Sequence, residues 1–253
     1  MTSLKQELAN QTPLVGTFVK TPHFHVAEVL SKTSLDTLCL DAEHAPFARD
    51  ALDACVLACR AESKPVLIRV PDDAPATILN ALDIGATGIV IPHVKTAAQL
   101  QNIVQVSFYG DKGRGYAGST RAAGYTTQNI TQNLALNQQT VVVAQIEDLE
   151  AIDNIEQIAQ VDGVDCLFIG RMDLTVALGE TNASAPSVMT ALDTIIEAAN
   201  RHGKTTGMFV GDLSELPHWI EKGVSLFLLA SDHNFMLAGA ASLKATFDKA
   251  AGN

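Results

Sequence analysis

The chain has 253 residues, with 17 basic and 28 acidic side chains, a formal net charge of −11 and 47% hydrophobic residues. This composition is typical of a soluble globular protein and argues against a disordered or fibrous one. The acidic excess argues against nucleic acid as a partner, because it would repel phosphates. A membrane is not expected either, since no apolar run approaches the roughly 20 residues of a span and residues 1–12 lack a signal-type hydrophobic stretch.

Short apolar runs alternate with helical stretches along the chain. Near-continuous apolar runs are typical of parallel strands that are covered on both faces. The predicted strands are Val15–Lys20, Thr37–Asp41, Pro65–Val70, Gly88–Pro92, Val141–Glu147, Asp165–Gly170, Lys204–Val210 and Val224–Ala230. Eight strand–helix units can close into a (β/α)8 TIM barrel, and we predict this α/β fold as one domain over residues 1–253.

The competing fold is an open doubly wound sheet. That fold usually carries a GxGxxG motif after its first strand, and the segment that starts at Val15 lacks the second and third glycines. The segments between strands carry apolar residues at helical spacing, as in the stripe Val188, Leu192, Ile195, Ile196 and Ala199 and the stripe Ile152, Ile155 and Ala159. The repeated strand–helix pattern therefore favours the barrel.

The four cysteines show no CxxC spacing and no nearby histidine of zinc-site type. Cys39 and Cys166 lie in apolar runs, and Cys55 and Cys59 fall on one face of a predicted helix. Free cysteine behaves as a small hydrophobic residue. We therefore predict four reduced core cysteines and a cytoplasmic protein.

A long polar, glycine-rich segment at residues 107–139 departs from the alternating pattern. Loops of this length inside a compact domain usually carry function or a partner contact. The alternative is a surface excursion with one short helix at Ile130–Asn137. No P-loop pattern is present, so the glycines alone are a weak phosphate signal.

Ionisable and polar residues cluster where the predicted strands end. In a barrel of this kind, catalytic residues come from the carboxyl ends of the strands. The residues at these positions are Asp41, Glu43, His44, Arg69, His93, Gln145, Glu147, Asp148 and the run Gly170–Asp173.

Three of these groups have a specific chemical interpretation. Glu147 and Asp173 are oxygen donors that suit Mg²⁺ or Mn²⁺, although Glu147 could simply start a loop and Asp173 could cap a helix. His44 follows Asp41 by three residues, close enough for the carboxylate to orient an imidazole that acts as general base; a structural histidine is the alternative. Arg69 either contacts a substrate carboxylate or keto oxygen or forms an internal salt bridge.

His93 and the lysines do not decide the chemistry of the site. His93 either lines the site or is structural. The lysines offer no clear nucleophile for a Schiff base, because neither Lys20 nor Lys204 has a desolvated apolar setting in the sequence.

The stretch LCLDAEHAPF (Leu38–Phe47) resembles the aspartate–x–glutamate–histidine signature of the class II pyruvate aldolases, the HpcH/HpaI family of the 4-hydroxy-2-oxoheptanedioate aldolase type. The similarity extends in order over residues 14–235. The matching segments are Leu67–Ala97, Gly110–Tyr125, Ala144–Gly179 and Gly203–Phe209.

The resemblance implies aldol cleavage or condensation of 4-hydroxy-2-oxo acids through a pyruvate enolate, with an oxo acid and an aldehyde as small-molecule partners. It implies that Glu147 and Asp173 hold a divalent ion (Mg²⁺ or Mn²⁺, with Co²⁺ or Zn²⁺ as alternatives) and that His44, oriented by Asp41, moves the proton. Arg69 would contact the keto oxygen. The substrate-binding set would be Arg69, Gln145, Gly170, Arg171 and Met172.

The resemblance also implies assembly. Similar aldolases pack a hydrophobic final helix on a neighbouring subunit, and Asp232–Phe247 is such a helix in this sequence. Apolar patches of this size are uncommon on monomers. We therefore expect a homo-oligomer, a hexamer by resemblance.

The chain departs from the family at one motif. Gly170–Arg171–Met172–Asp173 stands where the family usually has glycine–proline–small residue–aspartate. Arg171 either adds an anion contact or points away and leaves Met172 to narrow the pocket. Two other functions stay open on the same scaffold, an acyl-CoA ester lyase of the malyl- or citramalyl-CoA type and a non-catalytic barrel that binds a small acid.

Overall fold

Eight parallel strands form a closed barrel in the computed structural model of the chain, which describes residues 2–252. The strands are β1 (Leu14–Val19), β2 (Thr37–Asp41), β3 (Val66–Arg69), β4 (Gly88–Ile91), β5 (Val141–Ile146), β6 (Cys166–Ile169), β7 (Thr205–Met208) and β8 (Val224–Ser231). All eight predicted strands are confirmed, with ends that shift by one or two residues. The open doubly wound alternative is wrong, because β8 pairs with β1 and closes the sheet.

Helices surround the barrel, and most of them pack an apolar face on it. They are α1 (Leu4–Ala9), α2 (Phe24–Ser31), α3 (Arg49–Ala61), α4 (Pro75–Asp83), α5 (Ala97–Ser107), α6 (Ile130–Leu134), α7 (Leu149–Asp153), α8 (Ile155–Ala159), α9 (Arg171–Ala177), α10 (Pro186–Arg201), α11 (Leu216–Glu221) and α12 (Asp232–Ala251). The predicted stripe on α10 is buried throughout. The stripe that starts at Ile152 is divided between α7 and α8 at Asn154, whose side-chain amide donates to the Lys95 carbonyl at 3.0 Å.

The barrel interior is filled at its amino end. Leu4 and Leu8 of α1 pack with inward side chains of the strands, among them Phe18 and Phe168. Lys5 extends from the same helix and its Nζ lies 2.8 Å from Asp165. Because α1 covers this end, a small molecule finds an open approach at the carboxyl ends of the strands.

The closing seam between β1 and β8 joins residues that are far apart in the chain. Leu14 pairs with Leu226 across the seam. Asp232, which follows β8 and is buried, accepts the main-chain N–H groups of Lys20 at 2.8 Å and Thr21 at 3.0 Å. The seam therefore also fixes the loop that follows β1.

Three other expectations can be compared with the structure. The four cysteines are free and buried, as predicted. The helix expected at Ile130–Asn137 is present as α6 followed by a 3-10 turn at Ala135–Gln138. Among the helices of residues 2–252, none combines the length and the hydropathy needed to cross a membrane.

Candidate active site

Asp41 and Arg69 form a buried ion pair at the carboxyl ends of β2 and β3. Arg69 Nε donates to Asp41 Oδ1 at 3.0 Å, and Arg69 Nη2 lies 2.8 Å from Asp41 Oδ2. Burial raises the pKa of Asp41, but the hydrogen bond and charge of Arg69 outweigh it, so this pKa lies below its ordinary value. Arg69 thus forms the internal salt bridge that was its alternative interpretation, yet its Nη1 has no hydrogen-bond partner among residues 2–252.

The prediction that Asp41 orients the His44 imidazole is wrong. Asp41 Oδ1 accepts the main-chain N–H of His44 at 3.1 Å, as aspartates often do at turns. The imidazole is 55% exposed, and its Nε2 lies 3.7 Å from Glu43 Oε2. Asp41 therefore fixes the backbone of the loop that carries His44, and the carboxylate beside the ring belongs to Glu43.

Glu43, His93 and Glu147 converge next to this ion pair. Glu147 follows β5 and is 3% exposed; its Oε1 accepts the main-chain N–H of His93 at 2.8 Å, and its Oε2 accepts from Gln145 Nε2 at 2.5 Å. His93 has a φ of 54°, a conformation that non-glycine residues seldom adopt and that is enriched at functional sites. One ligand atom from each of these three residues lies within 4.8 Å of the others.

The charges in this cluster change the affinity of its members for protons. Burial raises the pKa of Glu43 and the nearby Glu147 adds to that rise, while the charge of Arg69 opposes it. Burial alone would lower the pKa of His93, but the hydrogen bond to Asp148 and the charges of Glu147 and Glu43 raise it above its usual value. The cluster therefore stabilises positive charge at its centre.

Asp173 lies across Gly170 from Glu147. A Cβ atom on Gly170 would stand 2.7 Å from Glu147 Oε2 and 3.5 Å from Asp173 Oδ2, so the glycine keeps the space between the two carboxylates open. The alternative role of Asp173 as a helix cap is not seen, because α9 starts at Arg171 and its cap residue Gly170 has no side chain. Asp173 and Glu147 thus border one gap, and Glu43 and His93 flank Glu147 on another side.

These donors fit a hard divalent cation. Gln145 Oε1 is buried without a hydrogen-bond partner in the described part of the chain, and Glu43 Oε2 accepts no hydrogen bond there either, although Arg69 Nε lies 3.3 Å from it. A buried oxygen without a donor is unfavourable unless a ligand or an ion supplies positive charge. Carboxylate and amide oxygens are the ligands that Mg²⁺ and Mn²⁺ prefer.

A cavity of about 450 Å³ lies over these strand ends. Its floor includes Arg69, Gln145 and Gly170, and Lys20 and His44 lie at its edge. Its wall comes from loops that were not predicted to take part, and includes Ala183, Ser184, Asp212 and Glu215. This volume is typical of small-molecule sites.

Arg171 and Met172 take different positions in this wall. Arg171 is 7% exposed; its Nε donates to the Ala183 carbonyl at 3.0 Å, its Nη1 donates to Glu215 Oε2 at 2.7 Å and its Nη2 donates to Ser184 Oγ at 3.2 Å. Each guanidinium nitrogen thus has a protein partner, while the side chain still lines the cavity. Met172 is 58% exposed and lines the cavity.

The expectation that no lysine is desolvated is wrong for Lys204. Burial lowers the pKa of Lys204, whose Nζ donates to the carbonyls of Val161 at 2.7 Å and Val164 at 3.2 Å. Lys204 precedes β7, however, and so lies at the amino end of the barrel, opposite the cavity. Lys20 does line the cavity, but its Nζ is 3.4 Å from Asp41 Oδ2.

The sequence alone suggested no role for several residues of the site, among them Glu43, Ser184 and Glu215. Glu43 could have been found, because it stands inside the strand-end motif. Glu215 lies 44 positions from its partner Arg171 in a loop without periodic pattern, so no local signal identifies it.

Comparison with known proteins gives concordant results. The model of the HpcH/HpaI aldolase/citrate lyase family matches residues 14–238. A 5-keto-4-deoxy-D-glucarate aldolase of Shigella boydii is 33% identical over 226 residues, which cover 88% of this chain and 87% of the relative. A hydroxypyruvate/pyruvate aldolase of Paraburkholderia phytofirmans is 32% identical over 245 residues, or 92% and 93% of the two chains.

The fold comparison points the same way. The crystal structure of an HpcH/HpaI aldolase/citrate lyase family protein from Burkholderia cenocepacia superposes with a TM-score of 0.90 at 31% identity. The match covers 96% of this chain and 98% of the other.

Proposed function

This chain belongs to the HpcH/HpaI aldolase/citrate lyase family and is an aldolase of the metal-dependent class, and we propose that it cleaves and forms 4-hydroxy-2-oxo acids through the enolate of pyruvate. The observation that supports this most directly is the floor of the cavity. There Arg69 is held in place by Asp41 beside Gln145, which donates to the buried carboxylate of Glu147. A fixed cation next to a buried acidic cluster suits a small oxo acid.

Glu147 and Asp173 are the proposed ligands of the divalent ion, with Glu43 and His93 next to Glu147. Mg²⁺ or Mn²⁺ is the proposed ion, because the donors are mainly carboxylates; Co²⁺ and Zn²⁺ are the alternatives. When bound, such an ion acts as a Lewis acid that polarises a keto group and stabilises enolate charge.

Arg69 is the proposed contact to the keto oxygen of the substrate. Asp41 fixes two of its nitrogens, so the guanidinium is oriented before the substrate arrives and loses little freedom on binding. Gln145 and the turn from Gly170 to Met172 line the same cavity and would bind the rest of the oxo acid. The guanidinium of Arg171 is oriented by its contacts in the wall, which use three of its five N–H groups.

His44 is the proposed proton-transfer group. Its imidazole lies at the cavity with Glu43 beside it, and histidine is the most frequent general base in enzymes. In cleavage, a base removes the proton of the 4-hydroxyl group, the C3–C4 bond breaks and the aldehyde leaves. The enolate carbon then takes a proton to give pyruvate, and condensation runs these steps in reverse.

The test separates the oxo-acid half of the reaction from the aldehyde. The chain is stripped with EDTA and incubated with pyruvate in D₂O, and deuterium in the methyl group is followed by mass spectrometry. We expect exchange that depends on added Mg²⁺, Mn²⁺ or Co²⁺, and an aldehyde screen with pyruvate then yields 4-hydroxy-2-oxo acids. Absence of exchange with every metal would contradict the proposal.

The two alternative functions are not favoured. Both relatives named above are aldolases rather than CoA-ester lyases. In addition, the two arginines that line the cavity, Arg69 and Arg171, are both paired with carboxylates and so are poor partners for CoA phosphates.

Assembly and location complete the proposal. We propose that the chain works as one barrel domain and forms a homo-oligomer, a hexamer by resemblance, with α12 in the contacts between copies. This helix is exposed along almost its whole length and carries the exposed apolar side chains Phe235, Met236, Leu237 and Leu243. Four free, buried thiols are consistent with a reducing compartment and support a cytoplasmic location.

A further inference from the structure

We propose that Arg171 is a positioning residue that fixes the cavity wall against which the aldehyde half of the substrate lies. The inference rests on the proposed aldolase function. It assigns to Arg171, where the sequence departs from the family motif, a role that needs no contact with the substrate.

Arg171 joins three segments that no sheet or helix holds together. Its side chain starts in the first turn of α9, after β6. Its Nε and Nη2 donate to Ala183 and Ser184 in the loop between α9 and α10, and its Nη1 donates to Glu215 in the turn before α11. All these residues line the cavity, so one guanidinium sets the spacing of its wall.

The surroundings of the guanidinium strengthen these contacts of Arg171 with Ala183, Ser184 and Glu215, which we call the Arg171 junction. Arg171 is 7% exposed and lies over the Trp219 ring at 5.5 Å. Trp219 is itself fully buried, and its indole N–H donates to the same Glu215 Oε2 at 3.0 Å. Hydrogen bonds to charged groups contribute more than neutral ones, and a rigid arginine fork holds its partners in a defined geometry.

The wall is the side of the cavity left for the aldehyde. The floor carries the groups that suit the oxo acid, which are Arg69, Gln145 and the gap at Gly170. The wall carries a serine hydroxyl and two carboxylates, of which Glu215 is neutralised by Arg171. A second reactant that meets the enolate from above the floor can lie against the residues that Arg171 positions, which form one part of a lining that also includes Ser231 and Asn234.

The experiment measures both halves of the reaction in the same variants. Arg171→Met removes the junction from one side, and Glu215→Gln weakens it from the other without touching the turn at Gly170. The matched control is Arg201→Met, which removes an arginine from the exposed pair with Glu156. For each variant, aldol condensation with pyruvate and a panel of aldehydes is compared with deuterium exchange into pyruvate alone.

We expect kcat/KM for the aldehyde to fall about 10- to 100-fold in Arg171→Met, mainly through KM, because a displacement of about 1 Å can have an effect of this size. Glu215→Gln should fall in the same direction by less, and Arg171→Lys should recover part of the loss because it keeps the charge. Exchange into pyruvate should fall clearly less than condensation, as expected for a side chain that acts mainly on the second substrate. Arg201→Met should change neither reaction.

Two results would overturn the assignment. An aldehyde KM in Arg171→Met and Glu215→Gln no higher than in Arg201→Met would show that the wall does not depend on this junction. An equal loss of exchange and condensation would place Arg171 in the support of the pyruvate site instead. A wild-type chain without any exchange would contradict the proposed function itself, which is a different outcome.

Discussion

Two regions depart from the usual distribution of polar and apolar groups. The floor of the cavity buries charged side chains, whereas helix α12 exposes apolar ones. On the floor, Asp41 is fully buried and Arg69 is 8% exposed, although charged residues are seldom fully buried unless they are paired. On α12, Leu237 is 72% exposed and Leu243 is 74% exposed. The difference lies in how each exception is compensated.

The buried charges of the floor are balanced by other groups of the same chain, but the hydrogen-bonding capacity of its oxygens is not fully used. Its charges pair with one another, and Arg69 Nε lies 3.3 Å from Glu43 Oε2, yet neither this oxygen nor Gln145 Oε1 accepts a hydrogen bond within residues 2–252. A small ion or ligand suffices to satisfy two oxygens. Helix α12 is exposed on all sides and carries five large exposed apolar side chains, which only an extended surface can cover. The size of the partner that each region lacks thus distinguishes a ligand site from a surface for assembly.

Removal of a proposed metal ligand tests most directly whether the floor is a ligand site. Glu147→Gln keeps the volume of the side chain but removes its charge, and we expect metal-dependent exchange to be abolished. Asp173→Asn should behave alike. Titration calorimetry with Mn²⁺ measures the loss of affinity, and Glu150→Gln, on the exposed side of α7, is the matched control. Unchanged Mn²⁺ affinity in both variants would refute the ligand assignment.

Removal of the proposed base should have the next largest effect. In His44→Ala, the exchange rate should fall about 10²- to 10⁴-fold, the usual contribution of a general acid–base group, with little change in metal affinity. His93→Ala is the informative comparison, because both rings face Glu43. Exchange at the wild-type rate in His44→Ala would make His44 structural and direct the search for the base to His93.

Asp41→Asn tests the internal compensation of the floor. The substitution leaves the buried Arg69 guanidinium with Glu43 Oε2, 3.3 Å from its Nε, as its remaining carboxylate partner, so we expect the free energy of unfolding to fall by at most about 3–5 kcal/mol. Urea denaturation measures this loss. Glu156→Gln, which breaks an exposed ion pair with Arg201, should change it far less, because solvent screens exposed pairs. A similar, small change in both variants would mean that the Asp41–Arg69 pair does not support the fold.

The smallest effect on the fold is expected on α12. Leu237→Glu and Leu243→Glu place charges on a face that is already exposed in the single chain, so the folded chain should persist while the oligomer dissociates. Light scattering gives the mass, and Lys249→Glu near the end of the same helix is the control. A wild-type protein that is monomeric at micromolar concentration would rule out the proposed assembly.

The eight strands could be predicted because each is a short apolar run between helical stripes. The ends were less certain, since Pro92 lacks an N–H for the ladder and falls outside β4. The site was predicted where it is local in sequence. Asp41 and His44 lie together as expected, but their spacing could not show that the contact uses the His44 main chain.

Contacts between distant loops could not be predicted at all. The pair of Arg171 and Glu215 depends on how α9 and the turn before α11 meet above the barrel. No periodicity carries that information, because loop residues follow neither the strand nor the helix repeat. The motif at Gly170 showed that this chain has an unusual residue at position 171, and only the fold showed that its partner is Glu215.

The seam between β1 and β8 has a consequence for how the molecule is made. Leu14 pairs with Leu226, so β1 can pair with β8 only after almost the whole chain has been synthesised. Pairings over such sequence distances form slowly, and unpaired strand edges favour aggregation meanwhile. Asp232 fixes the loop after β1 only once β8 is in place. A nascent chain that stops before β8 already contains Glu43, Glu147 and Asp173, yet has no closed barrel to hold them.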